Sequence, residues 1–268
     1  MAASWGRDAH TFIGDDCRGC CGITRGYINH AQTVGWTGAI SSDWFTPGNW
    51  TAPGVPTGAT SALIDTVVPN ATVVGTAGAT ASALNVGQAG TGMLTIQSGG
   101  TLSSGSTAVG LSAGSQGTVT VTGVGSTWTA TPTQNIIGIN VGQVGTGMLT
   151  IQSGGTVSSG GQSTVGVSAG SQGTVTVTGA GSTWTGNVLV LGLNGRGTLT
   201  IADGGTVNSP VVAVAVGAGS IGTLNIGAGP GNPTLRPARF QYLQEFRSAP
   251  APAPSTSITR PPTTCFRP

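Results

Sequence analysis

Residues 93–129 read MLTIQSGGTLSSGSTAVGLSAGSQGTVTVTGVGSTWT, and the stretch opening at Met148 reads MLTIQSGGTVSSGGQSTVGVSAGSQGTVTVTGAGSTWT. The chain therefore copies itself, with Met93 recurring as Met148. A third, degraded copy follows, in which residues 199–201 again lead into a Gly–Gly turn at Gly204 and Gly205. Repetition over so long a period builds length by stacking similar units, so a surface is repeated instead of one pocket being formed. That favours a structural or display role over an enzyme.

The period divides into smaller coils. An apolar–Thr/Asn–apolar triplet is centred on Thr95, Thr120, Thr150, Thr176, Thr200 and Asn225, in nearly even steps apart from the longer one between Thr120 and Thr150. An apolar–Gly mark precedes each triplet: Val86-Gly87, Val109-Gly110, Val141-Gly142, Val165-Gly166, Leu191-Gly192 and Val216-Gly217. The spacing from mark to triplet is short from Val86 to Leu94, Val141 to Leu149, Leu191 to Leu199 and Val216 to Leu224. It is longer from Val109 to Val119 and from Val165 to Val175, so two coil types alternate. The long step after Thr120 places an insertion near residues 132–135.

Period-2 alternation predicts short strands with one buried face: Leu94 and Ile96 inward with Thr95 outward, and likewise Val119, Thr120 and Val121. The pairs Gly99-Gly100, Gly154-Gly155 and Gly204-Gly205 mark sharp turns. No apolar stripe at helical spacing survives between residues 60 and 230, where each Gly would cost a helix about 1 kcal/mol. The geometry that satisfies these patterns is all-β, a parallel β-solenoid of six marked coils of about 24–30 residues. With coils about 4.8 Å apart it is roughly 25–30 Å long. Thr95, Thr120, Thr150, Thr176, Thr200 and Asn225 should form a ladder along one outer face. One coil buries four or five aliphatic side chains, worth about 1.5–3 kcal/mol each. Ordering its residues costs about 1–2 kcal/mol apiece, so a coil stands only when stacked.

Gly (48) and Pro (15) are abundant, but Gly has no three-residue period, which excludes collagen. Regular Val, Leu and Ile marks and low charge oppose disorder over residues 60–230. Between Thr66 and Leu235 the only charged residues are Arg196 and Asp203. A net charge of +2 gives no nucleic-acid footprint.

Candidate sites are few. Cys17, Cys20 and Cys21 with His10 or His30 suggest a metal site, but one C-x-x-C falls short of the ordered set of four ligands that zinc takes. No metal site and no cofactor is expected; Cys265 is isolated. Arg196 aligns with Thr91 and Thr146, and Asp203 with Ser98 and Ser153, at turns, where Asp before Gly is ordinary chemistry. A pair on separate turns lacks the convergence that acid–base catalysis needs, so no catalytic residue is assigned. Trp128 and Trp184 could stack on sugars or cap turns, and the second is preferred; Trp36, Trp44 and Trp50 read as an N-terminal cap. The full TVTVT run of residues 118–122 and 174–178 occurs on alternate coils, which breaks any ice-ordering array. Asn49-Trp50-Thr51 and Asn70-Ala71-Thr72 match glycosylation sequons.

The segments GTGMLTIQSGGT and SQGTVTVTGAGSTWT, with the NVGQ- and VLGLNG-type turns, resemble passenger regions of bacterial autotransporters carrying the type V secretion/PEP-CTERM-associated repeat. WTGAISSDWFTPGNW (residues 36–50), followed by ALIDT and NATVVG, looks like the beginning of such a passenger. The likeness covers about residues 34–232. It implies a right-handed β-helix carried to the bacterial surface by a C-terminal β-barrel translocator, and a non-enzymatic stalk or adhesin-like role toward an unknown surface ligand of host or matrix. The alternatives are a secreted β-solenoid acting on polysaccharides and an inert truncated fragment. The expected division is an irregular leader (1–33), a cap with first coils (34–80), the repeat β-helix (81–232) and a Pro/Arg-rich, disordered tail (233–268). Residues 1–32 lack the apolar run of a signal peptide, and nothing after 232 has barrel-like alternation. Other reading frames over residues 248–266 and 14–32 can encode a passenger continuation and an apolar leader. Both ends are therefore expected to be frameshifted or misassigned, leaving a fragment of a longer autotransporter.

Overall fold

The structure, a computed structural model, describes residues 32–52, 54–132 and 137–227 and the backbone of 234–242. In chain order the first strands are β1 (Thr33–Gly35), β2 (Ser61–Ile64), β3 (Thr72–Val74), β4 (Ala79–Val86), β5 (Thr91–Ile96) and β6 (Thr101–Val109). Next come β7 (Gln116–Thr122), β8 (Thr127–Ala130), β9 (Ile137–Val141), β10 (Thr146–Gln152), β11 (Thr156–Val165) and β12 (Gln172–Thr178). The last are β13 (Thr183–Leu191), β14 (Arg196–Ala202), β15 (Thr206–Val214), β16 (Ile221–Ile226) and β17 (Thr234–Tyr242). No α-helix occurs among the described residues.

From β3 onward the chain alternates between two sheets. Seven strands stack in the order β3-β5-β7-β10-β12-β14-β16. The other sheet has ten, running β1-β2-β4-β6-β8-β11-β13-β15-β17, with β9 beside β8 on the same rung. Every strand pair is parallel, which makes the fold a parallel β-solenoid of about eight turns. The six marked coils are thus an undercount. β1, β2 and β3 add turns whose sequences lack the mark-then-triplet spacing, and β17 pairs with β15 beyond residue 232, where a tail is expected. The insertion separates β8 from β9, and both halves still pair with β6 and β11.

Inward side chains stack in columns. On the seven-stranded sheet Ile96, Val121, Ile151, Val177 and Ile201 lie in register and are buried, beside Leu94, Val119, Leu149, Val175 and Leu199. On the ten-stranded sheet the corresponding column is Leu102, Trp128, Val157, Trp184 and Val207. Volume is matched coil by coil. The coils with Val pairs on one sheet (Val119 and Val121; Val175 and Val177) carry Trp128 and Trp184 on the other, whereas the Leu/Ile coils carry Leu102, Val157 and Val207. A close-packed interior requires such compensation, so the period must be two coils and not one.

The sixth apolar–Gly mark is corrected by the register. Val214 pairs with Leu191, so the turn residue equivalent to Gly192 is Ala215, not Gly217. Ala215 has a φ of 55°, like the φ of 71° at Gly192. Counted from Val214, the spacing to Leu224 equals that from Val165 to Val175, and the alternation is unbroken.

The N-terminal end is closed. Trp44 N donates to Val73 O (2.9 Å) and Val73 N to Ser42 O (2.7 Å), which covers the outer edge of β3. Trp50 packs edge-on against Trp36 and Trp44, with centroids 4.9 and 4.7 Å apart. Its indole N–H donates to Trp44 O at 2.7 Å. Buried Asn49 fixes the segment between them: its Oδ1 accepts from the backbone N–H groups of Ile40 and Ser41 (2.8 Å each) and its Nδ2 donates to Asp43 O (2.8 Å). The three tryptophans therefore form a cap, and the sequon at Asn49 is a structural amide closed to modification in the folded chain.

Candidate functional site

Among the residues whose side chains are described, four are charged: Asp43, Asp65, Arg196 and Asp203. Each carboxylate is occupied locally. Asp43 accepts from Phe45 N and Thr46 Oγ1, both at 3.2 Å. Asp65 Oδ1 accepts from the N–H groups of Gln88, Ala89 and Gly90 at 2.7, 3.0 and 2.8 Å. Asp203 accepts from Thr178 Oγ1 at 3.0 Å. It sits at φ 48°, as Ser98 and Ser153 sit at 55° and 53°, each followed by a Gly of positive φ. The aligned positions are thus one repeated turn, in which Asp is a good left-handed residue.

Arg196 opens β14 and does not lie in a turn, and it pairs in register with Gln172 and Ile221. Asp203 follows the other end of that strand, about 23 Å away at the rise of an extended chain. The two do not converge. No group of three His, Cys, Asp or Glu residues able to hold a metal occurs among the described residues. His10, Cys17, Cys20, Cys21, His30 and Cys265 lie outside them.

Trp128 and Trp184 neither stack on solvent-borne sugars nor cap turns: both are core residues, 0% and 2% exposed. They occupy inward strand positions, where alternation with Val and Leu balances coil volume. Trp128 Nε1 donates to Ser104 Oγ at 3.0 Å, whereas Trp184 Nε1 has no partner among the described residues.

Apart from Arg196 at the start of β14, the outward strand residues whose side chains are described are uncharged and periodic. On the seven-stranded sheet Thr95, Thr120, Thr150, Thr176, Thr200 and Asn225 stand in register, the expected ladder. Beside them run Met93, Thr118, Met148, Thr174, Thr198 and Thr223. A second threonine column goes beyond the sequence expectations: Thr101, Thr127, Thr156, Thr183 and Thr206 align on the ten-stranded sheet, and Thr234 takes the next place in backbone register. Its signal is present in the sequence as the Thr that follows each Gly–Gly or Gly–Ser turn. Coils about 4.8 Å apart and outward positions about 6.7 Å apart along a strand give these faces a regular spacing of hydroxyls, interrupted by the exposed Met93 and Met148.

Two shallow depressions of about 210 Å³ each mark the ten-stranded sheet near the insertion. One is lined by Thr80, Ser82, Ser103 and Thr131, the other by Asn85, Ser106, Asn140 and Gln143. Hydroxyls and amides there can exchange hydrogen bonds with an uncharged polar ligand. No side chain lining them titrates near neutral pH.

A family model described as Domain of unknown function (DUF8693) matches residues 35–152. The match begins in the tryptophan cap and ends with β10, so it takes in the cap and the first full copy of the repeat. No curated protein and no solved structure matches the chain at a significant level.

Proposed function

We propose that this chain is the passenger, or part of one, of an autotransporter-type exported protein. It is a non-enzymatic rod that displays its threonine-rich faces at the bacterial surface and meets a host or matrix ligand through many weak, repeated contacts. The observation that carries this reading is the in-register repetition of uncharged outer columns over six successive coils, with every described carboxylate engaged in a turn or the cap. A lattice of equivalent hydroxyls offers one contact many times, and multivalency converts weak contacts into useful avidity. The rod is read as a right-handed β-helix, the hand that the passenger resemblance implies.

The reading requires a translocator. Sequencing the locus through both ends of this chain and well downstream tests it. A frame that continues the repeats into a transmembrane β-barrel supports the proposal. A locus with no barrel in any frame, and no barrel gene beside it, contradicts it.

A further inference from the structure

Side-chain bonds join the coils in pairs. Trp128 Nε1 donates to Ser104 Oγ (3.0 Å), which belongs to the coil before it. In the same Trp coil Ser126 Oγ accepts from Gly99 N at 3.1 Å, and its counterpart Ser182 accepts from Gly154 N at 3.0 Å. Each of these contacts runs from a Trp coil back to the Leu/Ile coil that precedes it.

Shape follows the same pairing. A further inward column on the ten-stranded sheet reads Leu84, Thr107, Ile139, Ser163 and Leu189 up the stack, all buried and large and small in turn. Ile139 and Leu189 belong to the Trp coils, Thr107 and Ser163 to the Leu/Ile coils. On this sheet a Trp coil therefore projects at two inward positions where its neighbours recede. A Leu/Ile coil supplies the room that a Trp coil fills. Two Trp coils in direct contact would overfill the same space, and a close-packed interior does not absorb that without strain.

We propose that this rod changes length only by whole pairs of coils: residues 93–147, one Leu/Ile coil and one Trp coil, can be removed or repeated in a folded chain, whereas a single coil cannot. The seams are already present. VGQAGTG precedes Met93 and VGQVGTG precedes Met148, so either join rebuilds native sequence. Removal sets β10 on β3 and β11 on β4. Leu149 and Ile151 then take the places of the identical Leu94 and Ile96, and Ser163 takes that of Thr107 beside Leu84. β11 has one residue more than β6 at the corner after Ser159. β13 accepts that residue as it stands, since Ser159 pairs with Gly186 and Gln162 with Val188. Removing residues 148–173 instead takes out one Leu/Ile coil. It sets the coil of Trp184 and Leu189 directly on that of Trp128 and Ile139, and deprives Ser182 of Gly154. Each added pair repeats the same outward columns, so reach and the number of surface positions grow together with no change of chemistry. The inference does not depend on the display reading.

Three variants of the full chain test it: one without residues 93–147, one with that segment in duplicate, and one without residues 148–173. Both pairwise variants should keep the parent's β-sheet circular dichroism and a single cooperative melt. By small-angle X-ray scattering the duplicate should be longer than the parent by about 10 Å, two coils at about 4.8 Å each. Stability in a stack is roughly a sum over coils and their interfaces, so chain length alone would favour the variant without 148–173 over the shorter one without 93–147. The reverse is expected, with the single-coil deletion melting about 5–10 °C lower. A pairwise variant that loses the β-sheet spectrum, or a duplicate no longer than the parent, would overturn the proposal. A single-coil deletion that melts level with or above the pairwise one would overturn it as well, because the coil and not the pair would then be the unit.

Discussion

Asp65 Oδ1 lies 2.7 Å from the backbone nitrogen of Gln88, and this side-chain contact does what a backbone carbonyl does in later coils. There Leu111 N donates to Gly87 O at 2.8 Å, Gln143 N to Gly110 O at 2.9 Å and Val167 N to Gly142 O at 2.9 Å. The first turn of this stack has no earlier glycine carbonyl beneath it, because Ile64 pairs with Val86 and the following position is Asp65 itself. A carboxylate with two oxygens supplies the missing acceptors for three N–H groups.

Asp65→Ala should therefore cost about 2 kcal/mol, the range for hydrogen bonds to a charged acceptor. Asp65→Asn keeps one acceptor oxygen and should lose about half as much. Thermal melts followed by circular dichroism check this. Equal stability of Asp65→Ala and the parent would show that the loop orders itself without the aspartate.

Ala215 and Gly192 occupy equivalent turns but should respond oppositely. A left-handed backbone is strained for alanine by about 1–2 kcal/mol, so Ala215→Gly should recover up to about 1 kcal/mol once the glycine's extra chain entropy is deducted. At Gly192 an added Cβ would meet Ile221 O at 2.5 Å, a fixed backbone atom, on top of the φ strain. Gly192→Ala should cost more than about 2 kcal/mol. Denaturant midpoints of the two single variants give the comparison, and the same sign for both would sink it.

Replacing each core tryptophan with phenylalanine separates packing from hydrogen bonding. Trp128→Phe loses volume and a buried bond to Ser104 Oγ; Trp184→Phe loses volume but removes an unpartnered buried N–H. The first should be the more destabilising by about 1 kcal/mol. Each variant retains the other tryptophans, so unfolding is followed by circular dichroism rather than by fluorescence alone.

Much of this fold was legible because the repeat writes its own register. Thr120 pairs with Thr95 and Thr150 as the triplets require, and Asp203 shares a turn conformation with Ser98 and Ser153 as their alignment requires. Three things were not legible. β1 to β3 lack the repeat pattern; β3 is flanked by residues 42–44 and β1 by Thr51, so at this end the coils meet the cap and not another copy of the repeat. Val214-Ala215 escaped because Gly217, two residues on, offers a more conventional mark, and only pairing with Leu191 reveals the shift. Trp128 and Trp184 were misplaced although the Thr-Trp-Thr alternation already turns them inward, because a single coil shows no room for so large a side chain in a core of Val and Leu. The compensating Val119 and Val175 coils held that information, but it emerges only when both sheets are considered together.

The display reading rests on where the threonine faces are presented, and labelling intact cells of the source organism measures that directly. Antibody raised against residues 93–129, or brief proteolysis of whole cells followed by peptide identification, should detect the chain without permeabilisation. Signal confined to permeabilised cells would contradict the account, leaving the solenoid as an internal scaffold.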